Sequence, residues 1–135
     1  MEKWEASYVA GIIDGEGSIN LTRIHKKEHR RPTITIPSTD KELLVYLQSL
    51  IGGIINNKKN YCPDKHKDSY TLSIKKKESV LAVLKDIHPY LRIERKRQRA
   101  IWIINEFQQV TPRNGKYTLE MLEAKKHFEE HFFQL

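Results

Sequence analysis

Cysteine is almost absent from this chain: Cys62 is the only one in 135 residues, so no internal disulfide can form. A chain of that length buries roughly two-thirds of its unfolded surface in one core without cross-links or a structural metal. Also missing is any apolar run near the roughly 20 residues that a membrane span requires. The N-terminal MEKWEASYVAGIID carries acids where a secretion signal carries a basic segment, which predicts an intracellular, soluble protein. Repeats and low-complexity segments are lacking too. What remains is a single domain over 1–135, with a core over about 5–110 and a C-terminal helix over about 117–133.

Acid is in short supply where it would balance the cations. Lys+Arg number 24 and Asp+Glu 17, a formal charge of +7. Residues 117–135 are net −2, which leaves +9 on the remainder. Such a body attracts a polyanion, with a basic surface kept for solubility as the plainer reading.

Two periodicities organise the chain. Residues 4–13 set Trp4, Tyr8, Ile12 and Ile13 among small residues, and Ser7, Gly11 and Gly15 recur at every fourth position. A row of that kind lets a second backbone come very close. From Ser18 the period becomes two, with Ile19 and Leu21 inward; Ile34 and Ile36 repeat the pattern, as do Leu72 and Ile74. Helices are predicted from Thr39, where Thr39 and Glu42 make a capping box, over Val80–Ile87, over 92–110, and after Thr118. The order α-β-β-α-β-β-α-α-α predicts an α+β fold with an antiparallel sheet.

The outward positions of these strands collect Ser18, Asn20, Thr22, Thr33, Thr35, Asn57, Lys59, Thr71, Ser73 and Lys75. Short hydrogen-bonding groups mixed with cations, and almost without acid, suit a surface laid in a DNA groove. A merely polar sheet is the alternative. The run Arg92 to Arg99 adds five cations in eight residues, which is a solvated helix face unless its first members reach a phosphate.

Asp14 and Glu16 stand two apart with glycine between and after them. The backbone can then turn sharply and bring a carbonyl oxygen beside carboxylates, a donor set that hard cations such as Mg2+ accept while keeping several waters. The competing reading is a glycine-terminated helix with solvated acids. An EF-hand is excluded, because the twelfth position from Asp14 is His25. The pairs His25/His29 and Cys62/His66 supply only half of a zinc site each.

Val9-Ala-Gly-Ile-Ile-Asp-Gly-Glu-Gly17 resembles the signature of the LAGLIDADG homing endonucleases, and Ser18-Ile19, the strand pairs, Leu-Ile-Gly-Gly at 50–53 and Pro-Tyr-Leu at 89–91 extend the likeness. The resemblance implies an αββαββα unit whose four-stranded antiparallel sheet forms a DNA-binding saddle, with extra C-terminal helices. It further implies Glu16 as the essential metal carboxylate, the Gly15 carbonyl as a further ligand, and Asp14 as a residue that shapes the turn. One motif copy implies a homodimer on double-stranded DNA, with Ser7, Tyr8, Gly11, Ile12 and Gly15 at the interface and a near-palindromic target. The implied activity is Mg2+-dependent double-strand cleavage serving intron or intein mobility, with Mn2+ an alternative metal, Ca2+ a non-catalytic substitute and no small-molecule cofactor besides. A basic residue common after Pro-Tyr-Leu in the family falls here on Glu94, which leaves Arg95 or Lys96 to take that role. A DNA-binding regulator or RNA-splicing maturase on the same saddle is the rival reading.

Overall fold

The alternating segments pair into one four-stranded sheet of order β1-β2-β4-β3, antiparallel throughout, in a computed structural model that describes residues 1–58 and 60–135. The strands are β1 (Ser18–Thr22), β2 (Arg31–Ser38), β3 (Ile54–Lys58) and β4 (Ser69–Ile74). The helices are α1 (Lys3–Gly15), α2 (Lys41–Ile51), α3 (Lys77–Ile87), α4 (Glu94–Glu106) and α5 (Leu119–Gln134), with short 3-10 turns at His88–Tyr90 and Gln108–Val110. The basic helix predicted over 92–110 is therefore α4 followed by the second of these turns.

Period two does the sorting. Ile19, Leu21, Ile34, Ile36, Leu72 and Ile74 are at most 2% exposed and form the inner face. Against them pack Ala6, Val9, Ala10 and Ile13 of α1, Leu44 and Leu47 of α2, and Val80, Leu84 and Ile87 of α3. Each large aliphatic buried in this way contributes about 1.5–3 kcal/mol. Phe128 and Phe132 of α5 belong to the same cluster.

One local detail differs from expectation. The Asp40 N–H donates to Ser38 Oγ (2.9 Å), so the chain turns one residue later, Asp40 precedes α2, and Thr39 makes no capping box. α1 buries Ala6, Val9, Ala10 and Ile13, whereas Trp4 (65%) and Tyr8 (44%) are exposed. Small residues thus bring α1 close to α3 and the His88–Tyr90 turn, and its aromatics face away.

Free edges of a sheet need covering, and β1 is covered by arginine. Arg99 Nη1 donates to the Ile19 carbonyl (3.1 Å) and Arg30 Nη1 to that of Leu21 (3.2 Å). Both guanidiniums also lie over α5 rings, Arg99 over Phe132 at 4.6 Å and Arg30 over Phe133 at 4.9 Å.

Candidate nucleic-acid interface and metal-ligand turn

The end of α1 brings the motif's groups to one place and gives them different tasks. Gly17 follows, and a Cβ there would stand 2.9 Å from Ile13 Cα, so only glycine lets β1 leave the helix so tightly. Asp14 faces the start of α4: its Oδ2 accepts the Arg92 N–H (2.8 Å) and its Oδ1 the Ile93 N–H (3.1 Å). Lys96 replies from α4, its Nζ donating to the carbonyls of Ile13 and Asp14, both at 2.8 Å. A cation here offsets the negative end of the α1 dipole. Asp14 and Lys96 therefore clamp two helices together, using groups 78 to 83 residues apart.

Glu16 is the contrast. It is exposed, and among the described residues no hydrogen bond or ion pair engages its carboxylate. The Gly15 carbonyl beside it also accepts no hydrogen bond among those described. One free carboxylate and one free carbonyl are a partial donor set of the kind Mg2+ completes with water and substrate phosphate. Among the described residues no group of three or more His, Cys, Asp or Glu could hold a metal.

Of the basic groups after Tyr90, Lys96 is engaged as above and Arg97 holds Glu94 at 2.7 Å. Hydrogen bonds from Gln98 first, and then Arg97, keep the Glu94 carboxyl below the usual carboxylate range. Arg95 is exposed, without a hydrogen bond or ion pair among the described residues. Burial, and secondarily the Arg95 charge, lowers the Arg99 pKa.

Cross-strand partners share a face, so the register assigns the outer surface. One row runs Ser18–Thr35–Ser73–Ile54, and a second Pro37–Thr71–Asn56. Asn20 pairs with Thr33, Thr22 with Arg31, and Lys58 with Ser69. No acid occurs in these rows. Thr33 belongs to this face, yet it is 1% exposed, with Thr22 Oγ1 3.4 Å from its hydroxyl, so it supports the surface from beneath. Asn57 is a correction: it pairs with Tyr70, on the parity of Ile55 and Leu72, so Asn56 and Lys58 hold the outer positions. Lys75 is exposed just beyond β4, and Lys59 lies outside the described residues.

Arg31, Asn56 and Lys58 escaped the sequence reading. For the last two, an Ile54-Ile55 start offers two phases, and the signal that chooses is steric: Gly53 has φ +96°, and its missing Cβ would stand 2.7 Å from the Ser73 carbonyl.

The expected interface residues form one strip. Ser7, Gly11 and Gly15 are exposed, Tyr8 is 44% exposed and Ile12 half-buried. A Cβ added at Gly11 or Gly15 meets nothing within 4 Å. The strip widens onto α2, where Tyr46 meets Tyr8 edge-on with centroids 5.7 Å apart and Val45 is 49% exposed.

The LAGLIDADG-like domain family matches residues 3–88. No curated protein matches the chain. Among solved structures, the homing endonuclease I-CvuI in complex with its target superposes with a TM-score of 0.76 at 17% identity, over 98% of this chain and 82% of that one. The group I intron-encoded homing endonuclease I-CeuI complexed with DNA gives 0.67 at 15% identity, over 97% and 67%. The archaeal intron-encoded I-Vdi141I, also complexed with DNA, gives 0.64 at 14%, over 99% and 85%. At these identities the likeness is one of fold, and it extends through α5.

Proposed function

We propose, from the premise that this chain belongs to the LAGLIDADG-like domain family, that it is a homodimeric, Mg2+-dependent, site-specific DNA endonuclease. The observation that carries the reading is the free Glu16 carboxylate, placed between the exposed small-residue strip of α1 and the acid-free face that begins at Ser18. The matched I-CvuI and I-CeuI structures are DNA complexes, which supports the same substrate class here. I-CvuI was crystallised with Ca and with Mg.

Two chains meeting through Ser7, Gly11 and Gly15 bring their α1 ends together, so two copies of Glu16 address opposite strands of a near-palindromic site. Glu16 and the Gly15 carbonyl would hold the cation. Bound there, Mg2+ supplies positive charge against a phosphoryl oxygen and lowers the pKa of a bound water. Hydrolysis exchanges one phosphorus–oxygen bond to the sugar for one from water. Ser18, Asn20, Thr35, Thr71, Ser73 and Asn56 offer hydrogen bonds to base edges, while Arg31, Lys58 and Lys75 contact phosphates. Arg95 is a free cation available to developing phosphate charge, and Asp14 and Lys96 hold the turn in position.

Glu16→Gln should bind a selected target as the wild type does and cut it at least about a thousandfold more slowly. Gel assays with a target library and Mg2+ check this, and undiminished cutting by the purified variant would sink the mechanism. A second reading, a DNA-binding regulator or RNA-splicing maturase on the same saddle, draws on the engagement of Lys96 and Arg97 within the fold. Retention of the library without cut ends by the wild type would select it.

A further inference from the structure

On α5 the interior contains a cation. Lys125 is 1% exposed. Its ammonium donates to Thr111 Oγ1 (2.6 Å) and lies 4.3 Å from the Phe107 ring centroid and 5.8 Å from that of Phe128. No carboxylate is within ion-pair distance of it among the described residues; Glu129, one turn along, pairs instead with Arg30 at 3.8 Å. A hydroxyl and two aromatic faces are weak compensation for a buried charge, which costs several kcal/mol unless an anion meets it.

Beside this ammonium is a cavity of about 640 Å³ lined also by Lys27, Arg30, Arg31, Lys77 and Arg113. Glu28 is the single acid of its wall, and Arg31 holds it at 3.3 Å. Cations from the β1–β2 loop, β2, α3, the α4–α5 loop and α5 thus converge on one space, and among the described residues only Arg30 and Arg31 are paired with a carboxylate. Like charges gathered this way repel one another, and a multivalent oxyanion with several acceptor oxygens relieves the repulsion. Tyr117, also in the wall, adds a hydroxyl, whereas that of Thr111 donates to the Phe107 carbonyl at 2.7 Å.

We propose that this cavity is a phosphate-group site with Lys125 at its base, formed outside the α1 turn. Two sources offer the same chemistry, free phosphate and the backbone of bound DNA. Arg31 is common to the cavity wall and the outer sheet face, so a duplex on that face passes near it. The proposal does not rest on cleavage, and neither measurement below reads cleavage.

Inorganic phosphate is titrated at constant ionic strength into the wild type, Lys125→Met and Arg113→Ala, with calorimetry and thermal melting as readouts. Saturable binding by the wild type is expected, raising its folded-to-unfolded ratio about elevenfold at ten times Kd, with each variant weakened at least about tenfold. Arg113 is on an exposed loop, so its variant keeps the test valid should Lys125→Met misfold. In the second arm a long duplex is bound over a salt series. Weaker binding by both variants, with a salt slope shallower by about one, assigns the site to the DNA backbone; unchanged DNA binding with lost phosphate binding assigns it to free phosphate. Variants equal to the wild type in both arms overturn the proposal, as does phosphate binding that is no stronger than that of chloride, combined with unchanged DNA affinity.

Discussion

α1 and α5 depart from the amphipathic rule in opposite directions. α1 is fully apolar where it faces the core, yet it leaves Trp4 (65%), Tyr8 (44%) and two bare glycines facing outward. α5 is charged outside, with a Lys126–Glu130 pair at 3.9 Å, yet places Lys125 inside at 1% exposure. An apolar strip in water and a cation in a core are each unfavourable for the chain alone. Each would become favourable with the complement proposed for it, a second copy of α1 in one case and an anion in the other. The molecule is thus finished in its sheet and unfinished at these two helices.

The largest effect on this contrast between helices should come from Gly11→Leu. Nothing lies within 4 Å of a Cβ at Gly11, and leucine improves on glycine in a helix by about 0.8 kcal/mol, so the monomer should be at least as stable as before. A second backbone would lose its close approach. Sedimentation should show a monomer, and cleavage of the selected target should fall at least about a hundredfold. A variant that stays dimeric and active would break the contrast by removing the partner from α1.

Next in size is Asp14→Ala, which removes the charged acceptor of two solvent-exposed backbone N–H groups at the head of α4. Charge-assisted bonds of this kind contribute about 1.5–3 kcal/mol each and are not additive, so denaturant unfolding should register a loss of about 2–4 kcal/mol. Asp14→Asn, which keeps one acceptor oxygen, should lose about half of that. The comparison separates the motif's two acids: Asp14 variants cost stability, whereas Glu16→Gln should leave it within about 0.5 kcal/mol.

Much of this was readable in the sequence because it is local. The four-residue spacing of Ser7, Gly11 and Gly15 is visible without coordinates, and so is the alternation that makes the sheet. The Ile54-Ile55 pair fits either phase, and the choice depends on how closely Gly53 packs on β4, which a propensity cannot show. The Asp14–Arg92 and Lys96–Ile13 bonds join segments about 80 residues apart, and no local pattern distinguishes Lys96 from its basic neighbours. Lys125 is harder still. Leu119 and Leu122, apolar residues of the first turn of α5, are 82% and 39% exposed; the buried line runs through Lys125, Phe128 and Phe132, with a lysine where an aliphatic is expected.

That lysine gives a pH prediction. Burial is the main cause that lowers its pKa from 10.5 to about 8, with Lys77 adding to the shift and Glu129 opposing it. Between those values the unfolded chain binds a proton that the folded chain has released, so stability rises with pH across the window. Below about pH 8 both states are protonated and the penalty is present in full. Arg30 and Tyr117 also adjoin this region, so the wild type is best compared with Lys125→Met. Their stability difference should narrow by at most about 3 kcal/mol between pH 8 and 10.5 in phosphate-free denaturant titrations. A pH-independent difference would mean that the ammonium is better compensated than its visible partners allow.

The smallest effect separates the helices most cleanly. Thr118 Oγ1 accepts the Met121 N–H at 3.2 Å and so caps α5. Thr118→Ala should cost about 1 kcal/mol, a fall in Tm of about 3 °C. The dissociation constant of the proposed dimer should not move, because α5 contributes to the core through Phe128 and Phe132, while the proposal puts association on α1 and the adjoining face of α2. Weaker dimers in Thr118→Ala, measured by sedimentation well below Tm, would extend the interface to α5 and reduce the contrast between the helices to one of degree.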